Sequence, residues 1–144
     1  MAYSLRYASA IFFCLSALLG CELPKDPSRT SQTVRGDVLI VGTDGPVPPE
    51  NEAEKAALTR LAANLNARLE YRQAGIHALA ADLESGEIHV LAGGLPRNTP
   101  FKNRFGLSSP VSEVLLDGKR EKTVFAIRKG ENGFLLQVNK AVGD

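Results

Sequence analysis

Apolar positions recur along this chain in two rhythms, and the rhythms alternate. Val38-Leu39-Ile40-Val41-Gly42-Thr43 is an almost continuous apolar run, the pattern of a strand buried on both faces and hence of a central parallel strand. Asp44-Gly45-Pro46 breaks it. Pro48 and Pro49 stand where a helix begins, and Glu50, Glu52 and Glu54 follow, charges that suit the positive end of a helix dipole. Leu58, Leu61, Ala62, Leu65 and Leu69 recur mostly at i, i+3, i+4, i+7, so one helical face is apolar. RLEYRQ (68–73) alternates and predicts a second strand. Ile76, Leu79, Ala80 and Leu83 mark a second helical stripe, which Ser85-Gly86 ends with a C-cap glycine. EIHVLAG (87–93) is then a third strand.

Strand–helix–strand–helix–strand with short connections predicts an α/β fold around a parallel sheet with right-handed crossovers. The last third changes character. VSEVLL (111–116) and TVFAIRK (123–129) are strand-like runs separated by Asp117-Gly118-Lys119-Arg120, and Asp-Gly is a strong hairpin signal. Phe134, Val138, Ala141 and Val142 form a closing helical stripe within 131–142. The expected domain is thus a mostly parallel sheet flanked by helices, with a C-terminal hairpin and helix.

The first twenty-one residues read differently. One basic residue, Arg6, precedes an apolar stretch from Ala8 to Leu19, and Leu18-Leu19-Gly20-Cys21 closes it. This is a secretion signal, too short for a spanning helix. Its end is similar to the bacterial lipobox, which implies diacylglyceryl modification of Cys21 and cleavage before it. The expected division is a lipoprotein signal peptide over 1–20, a flexible tether over 21–36, polar and carrying two prolines, and a single domain over 37–144. Cys14 leaves with the signal, so the mature chain has no free thiol; metal-thiolate and cysteine-nucleophile chemistry are excluded on this reading.

The full chain has 144 residues, 44% hydrophobic and 23% charged, enough for one core. Of its 17 Lys and Arg, 16 remain without Arg6, against 16 Asp and Glu. A net charge of zero with neutral histidines gives no reason to expect nucleic acid as a partner. The distribution is uneven: residues 97–129 hold eight basic side chains against three acidic ones, which suits either an anionic group or a solvated face with strand-edge lysines.

Ligands of open α/β sheets bind outside the carboxyl ends of the parallel strands, where glycines let backbone amides approach. Two loops qualify and would face one crevice: Thr43-Asp44-Gly45 after the first strand, and Gly93-Gly94 through Thr99 after the third. Neither is a phosphate-binding motif. His77 and His89 are expected at surface or boundary positions, the carboxylates of the first helix suit its dipole, and no Ser/His/Asp grouping stands out. The chain is therefore not expected to be an enzyme, to use a cofactor or to bind a metal.

The order VLIVGT, a Pro-Pro loop, LxxLAANLNARLEY, LAADLESGEIHVLAGGL, TPF and SSPV resembles the first lobe of extracellular solute-binding proteins of family 3, the receptors of ABC importers for polar amino acids. The lipobox with ELPKDPSRT and the closing FAIRKGENGFLLQV resemble the start and finish of lipid-anchored members. The resemblance implies one lobe of a type II periplasmic-binding-protein fold. It also implies that SPVSEVLLDGKREKTVFAI joins, through its Asp-Gly turn, two strands that elsewhere lead to a second lobe. It carries Thr43, Asp44, Gly93, Gly94, Arg97, Thr99 and Lys102 as ligand-binding positions, with Lys102 or Arg97 as the cation for a ligand carboxylate. Two positions depart from the pattern: Glu50 stands where an aromatic is usual, and Pro96 where a hydroxyl residue is usual.

Two functions follow as expectations. One is a lipid-anchored, single-lobe binding protein on the extracytoplasmic side of a bacterial membrane, taking a small polar solute and serving an ABC permease or pairing with another copy of itself. The other is an accessory lipoprotein that uses the lobe as a protein-docking module without binding solute.

Overall fold

The computed structural model describes residues 24–143; the stretch expected to be a signal peptide, with Cys21, lies outside the described residues. The elements in order are α1 (Thr30–Val34), β1 (Val38–Thr43), α2 (Glu52–Asn64), β2 (Arg68–Gln73), α3 (Ile76–Ser85), β3 (Val90–Ala92), β4 (Phe105–Leu107), β5 (Ser112–Leu116), β6 (Lys119–Thr123), β7 (Ala126–Arg128) and α4 (Asn132–Val142). A five-stranded sheet has the order β2-β1-β3-β7-β4, and β5 and β6 form a separate two-stranded ribbon. β1 pairs in parallel with β2 from Val38↔Arg68 to Thr43↔Gln73, and in parallel with β3 from Val41↔Val90 to Thr43↔Ala92. β7 is antiparallel to both its neighbours, β3 and β4.

β1 is central, as its unbroken apolar run requires, and alternate side chains feed two cores. Leu39 and Val41 join Leu58, Leu61, Leu65, Phe134 and Val138 beneath α2 and α4. On the other face, Leu79 and Leu83 of α3 meet Ile88, Leu91 and Ala126, with Ile40 packed alongside. The result is an α/β/α sandwich. Gly42 interrupts the run because α3 passes close there: a Cβ at this residue would lie 2.5 Å from Ile88 Cδ1 and 2.8 Å from Leu79 Cδ2.

The last third corrects the sequence reading in two places. The hairpin turn is where Asp117-Gly118 places it, with φ of +49° and +75°, as a two-residue turn of the primed type demands. Its second arm, however, is Lys119–Thr123 rather than 123–129. Thr123 ends the ribbon, Val124 and Phe125 cross while fully buried, and β7 then enters the main sheet between β3 and β4. β4 was not foreseen, because three residues are too few to display an alternation.

The polar segment before β1, expected as a tether, is docked from Pro24 onward. Glu131 is buried at the start of α4 and accepts the N–H groups of Ser28 (2.7 Å) and Thr30 (2.9 Å). Asp26 in turn accepts the N–H of Phe134 (2.8 Å), and the Lys25 carbonyl accepts that of Asn132 (3.0 Å). Val34 of α1 is fully buried in the core below, a burial worth roughly 1.5–3 kcal/mol. Two carboxylates and one valine thus offset the entropy of ordering a stretch whose composition looks like a linker.

Candidate functional site

The carboxyl ends of β1 and β3 carry the two loops singled out in the sequence, and a third group holds them together. Asn51 caps α2, its Oδ1 accepting the N–H groups of Ala53 (3.0 Å) and Glu54 (3.1 Å). Glu54 occupies the position from which a capping-box glutamate would reach back to the cap residue. Instead its side chain points across the domain, where the carboxylate accepts the N–H of Gly93 (3.0 Å) and of Gly94 (2.9 Å). Thr123 hydrogen-bonds the same carboxylate and shares a 2.7 Å hydroxyl contact with Ser112. A hydroxyl that donates to a carboxylate keeps lone pairs free for a second donor. Glu54 therefore ties α2, the Gly-Gly loop and the base of the ribbon into one unit.

Glu54 is wholly buried. Burial pushes its carboxyl pKa up, and the hydrogen bonds from Gly93, Gly94 and Thr123 only partly offset that. The sequence reading assigned this residue to the helix dipole. The sequence carries a signal of its burial all the same: Glu54 precedes Ala57, Leu58 and Leu61 at i+3, i+4 and i+7, so it stands on the apolar stripe.

The glycines are required by this arrangement. Gly93 has φ of +100°, and a Cβ there would lie 2.5 Å from Thr43 Oγ1. The backbone just after β3 thus packs against the Thr43 side chain at the end of the neighbouring β1. The hollow beside it is walled by Thr43, Pro46, Pro49, Glu50, Glu54, Gly93, Gly94 and Val114 and has a volume of about 220 Å³. Its charged lining residues are Glu50 and Glu54, both acidic.

The positions carried over from the resemblance divide among three hollows. Thr43, Gly93 and Gly94 line the acidic one. Asp44 and Thr99 line a second of about 240 Å³ on the other side of the Gly-Gly loop, with Ile76, Leu95 and Phe101, and Gly93 and Gly94 border this one too. Arg97 and Lys102 line a third, about 420 Å³, with Arg120 and Lys122 of the ribbon. The loop from 95 to 97 reaches the ribbon by backbone bonds: Val124 N–H donates to Leu95 O (2.9 Å) and Arg97 N–H to Lys122 O (2.8 Å). Thr99 is buried and its Oγ1 accepts the Phe101 N–H (3.3 Å), so its hydroxyl oxygen shapes the loop. The Lys102 ammonium donates to Asn98 (3.3 Å). Neither Arg97 nor Lys102 lines the hollow that holds Gly93 and Gly94 at its acidic wall.

The histidines are structural. His77 sets its ring edge against Phe101, centroids 5.6 Å apart. His89 N–H donates to Ile40 O, and its Nδ1 accepts the Ile40 N–H (3.0 Å), which requires an unprotonated Nδ1. Burial and the nearby Arg128 lower its pKa. Among the described residues no group of three or more His, Cys, Asp and Glu side chains is placed to hold a metal ion, and no helix is long and apolar enough to cross a membrane.

The fold is that of a single domain of a periplasmic binding protein. Domain 1 from TmArgBP, solved in an arginine-bound form, superposes with a TM-score of 0.61 at 21% identity, over 74% of this chain and 91% of that one. A mutant of ArgBP from T. maritima matches with a TM-score of 0.64 at 12% identity, over 78% and 91%. The ancestral amino acid-binding protein AncCDT-1, a precursor of cyclohexadienyl dehydratase, matches with 0.63 at 14%, also over 78% and 91%. No protein-family model and no curated protein sequence matches the chain.

Proposed function

We propose that this protein is a lipid-anchored, single-lobe solute-binding protein of the ABC-importer receptor type, and that it takes small amino acids with a cationic end. The observation that carries the reading is the hollow at the ends of β1 and β3, where Glu54 fixes the Gly93-Gly94 loop and Glu50 adds a second negative charge at an apolar wall of Pro46, Pro49 and Val114. Such a wall favours an ammonium or guanidinium over a carboxylate. The arginine-bound form of an isolated domain of the same fold supports binding by one lobe. Affinity from one face is weak, because a pocket ordinarily encloses most of its ligand.

The test is a thermal-unfolding panel on the full chain with arginine, lysine, ornithine, glutamine and glutamate at millimolar concentrations. Ligand at ten times its Kd adds about 1.4 kcal/mol of stability. Arginine or lysine should raise Tm and glutamate should not. No shift with any of them refutes solute binding. Anchoring is tested separately: Cys21→Ser should abolish lipid labelling and release the chain from bacterial membranes.

One observation favours a second reading, a docking module. Leu115 and Leu116 on the ribbon are 71% and 42% exposed, and a hollow on the same ribbon is lined by Arg97, Lys102, Arg120 and Lys122 against the single acid Glu121. That combination of apolar and cationic groups suits a partner protein with an acidic rim.

A further inference from the structure

The ribbon has one open strand edge. β5 pairs with β6 from Ser112↔Thr123 to Leu116↔Lys119, and along an antiparallel strand the backbone groups of successive residues point alternately to its two sides. Lys122 O accepts the Arg97 N–H and Val124 N–H donates to Leu95 O, so the Lys122 backbone points away from β5. Its ladder partner Glu113 therefore turns its own N–H and C=O away from β6, and so does Leu115 two residues on. The loop at Leu95, Pro96 and Arg97 occupies the outer side of β6. Among the described residues no backbone group bonds the outer side of β5.

An open edge ordinarily carries charges, a proline or a bulge that discourage pairing. β2, at the edge of the main sheet, has Arg68, Glu70 and Arg72 among its six residues, with Arg68 and Glu70 in a 2.9 Å ion pair. β5 ends instead in Val114-Leu115-Leu116, of which both leucines are exposed. Glu113 is its one charged side chain.

We propose that two copies of the chain pair β5 against β5 in antiparallel about a two-fold axis at Val114, building a four-stranded sheet and setting two Gly93-Gly94 hollows side by side. Paired residues share a face of the sheet, so the axis sets one residue opposite itself. Val114 is the middle residue of β5, and this register pairs all five. An axis at Glu113 would oppose two carboxylates, and one at Leu115 would set Glu113 against Asp117. With Val114 on the axis, each Glu113 exchanges two backbone bonds with the partner's Leu115, and the two Leu115 side chains lie diagonally across the centre. Lys122 stands opposite Glu113 on β6 and Arg120 lies 3.9 Å from it, so the two acids sit at the middle of the joined sheet with cations along both margins. That complementarity selects a second copy as the occupant of the edge.

Val114 is also the ribbon's part of the Gly93-Gly94 hollow. Its counterpart faces the same side, so the partner's Val114 comes beside that hollow and extends the wall a single lobe lacks. This consequence, unlike the pairing itself, rests on the reading of the hollow as a solute site. A contact of five residues a side is smaller than the ordinary interface of about 1,600 Å². The pairing is therefore weak and depends on concentration.

The experiment uses the full chain carrying Cys14→Ser and Cys21→Ser, so that no native thiol interferes, with folding checked by circular dichroism. Across the axis the two Val114 Cα atoms stand about 4.5 Å apart, within disulfide reach. Val114→Cys should therefore give a covalent dimer on mild oxidation. Leu116→Cys alone should give none, because it lies opposite the partner's Ser112, about 14 Å along the strand from its own counterpart; mixed with Ser112→Cys chains it should cross-link. No dimer at Val114, or an equal one with Leu116→Cys alone, overturns the register.

Sedimentation of the same background without added cysteines should show a dimer fraction that grows as concentration rises to about 500 µM. Leu115→Pro removes an outward N–H and leaves the ribbon's own ladder intact, so it should hold the chain monomeric. A chain that is monomeric throughout overturns the pairing and leaves the edge to a strand of another protein, and a dimer indifferent to Leu115→Pro overturns β5 as its seat. Arginine held in a shared hollow should raise the dimer fraction by linkage. A chain whose Tm responds to arginine while its dimer fraction does not refutes the shared hollow and leaves the solute reading standing.

Discussion

Glu54 and Gly94 stand 40 residues apart in the chain and are joined by a 2.9 Å hydrogen bond from backbone amide to buried carboxylate. This bond makes the loop after β3 part of α2. Removing the carboxylate by Glu54→Ala leaves the Gly93 and Gly94 amides facing a void. The expected loss is roughly 2–3 kcal/mol of unfolding free energy, the scale for buried donors deprived of their acceptor. Urea denaturation measures it; a change below about 0.5 kcal/mol, the ordinary range of surface substitutions, would show that the loop holds itself.

Two titratable groups, buried Glu54 and half-buried His89, act on stability with opposite sign. The folded pKa of Glu54 is raised, so its contribution is fully present below the ordinary carboxyl value near 4.5 and is lost as pH rises through the folded value. The folded pKa of His89 is lowered from about 6.5, so its contribution is present above that value and is lost as pH falls through the folded one. Between pH 7 and pH 5, His89→Gln should lose less stability than the parent chain. Paired urea titrations at the two pH values decide it, and equal losses would remove His89 as a source.

Gly42→Ala and Gly93→Ala should both destabilise, for different reasons. At Gly42 the new methyl meets Ile88 and Leu79, and overpacking of this kind costs about 1–3 kcal/mol. At Gly93 it meets Thr43 Oγ1 in a backbone conformation with positive φ. Gly45→Ala is the control, since its nearest atom would be 3.8 Å away. The order of Tm values should be Gly45→Ala above both others; a Gly93→Ala chain as stable as the control would refute the close approach of Gly93 to the Thr43 side chain.

Val114 forms the ribbon's part of the acidic hollow while remaining partly exposed. Val114→Arg fills that space and places a cation opposite Glu50. Any arginine-induced rise in Tm should disappear, with the melting temperature of the free protein changed by only a few degrees. An unaltered ligand response would move the solute to another hollow.

Helices α2, α3 and α4 and the parallel strands were legible because each rests on local periodicity: Leu58 to Leu65, Leu79 to Leu83, Phe134 to Ala141, Val38 to Val41; α1, inside the segment expected as a tether, was not. The misread parts are those in which distant partners decide. Thr123 and Ala126 lie in one apolar run yet belong to different sheets, and the break at Val124-Phe125 is buried rather than marked by a turn residue. Lys25 to Thr30 read as linker because polarity conceals what two acids, Asp26 and Glu131, do with backbone amides. At the candidate site, the Gly-Gly loop and Thr43 were found together. Arg97 and Lys102 were assigned to the same cleft, and they belong with Arg120 and Lys122, whose approach depends on how the ribbon folds back.

The bonds to Glu131 from Ser28 and Thr30 join an early segment to a late one, across separations of 103 and 101 residues, and β7, the last strand in the chain among the described residues, takes an interior place in the sheet. Contacts of such long range form late and slow the search for the native state. As the polypeptide emerges vectorially from its amino terminus, β1, α2, β2, α3 and β3 can assemble, but the sheet stays open at one edge and the leading segment has nothing to dock on. Only the stretch from β7 to Glu131 completes both. The N-terminal segment and the domain are thus joined only once β7 and Glu131 have been made, and until then the residues from Lys25 to Val34 stay exposed to proteases that survey unfinished proteins.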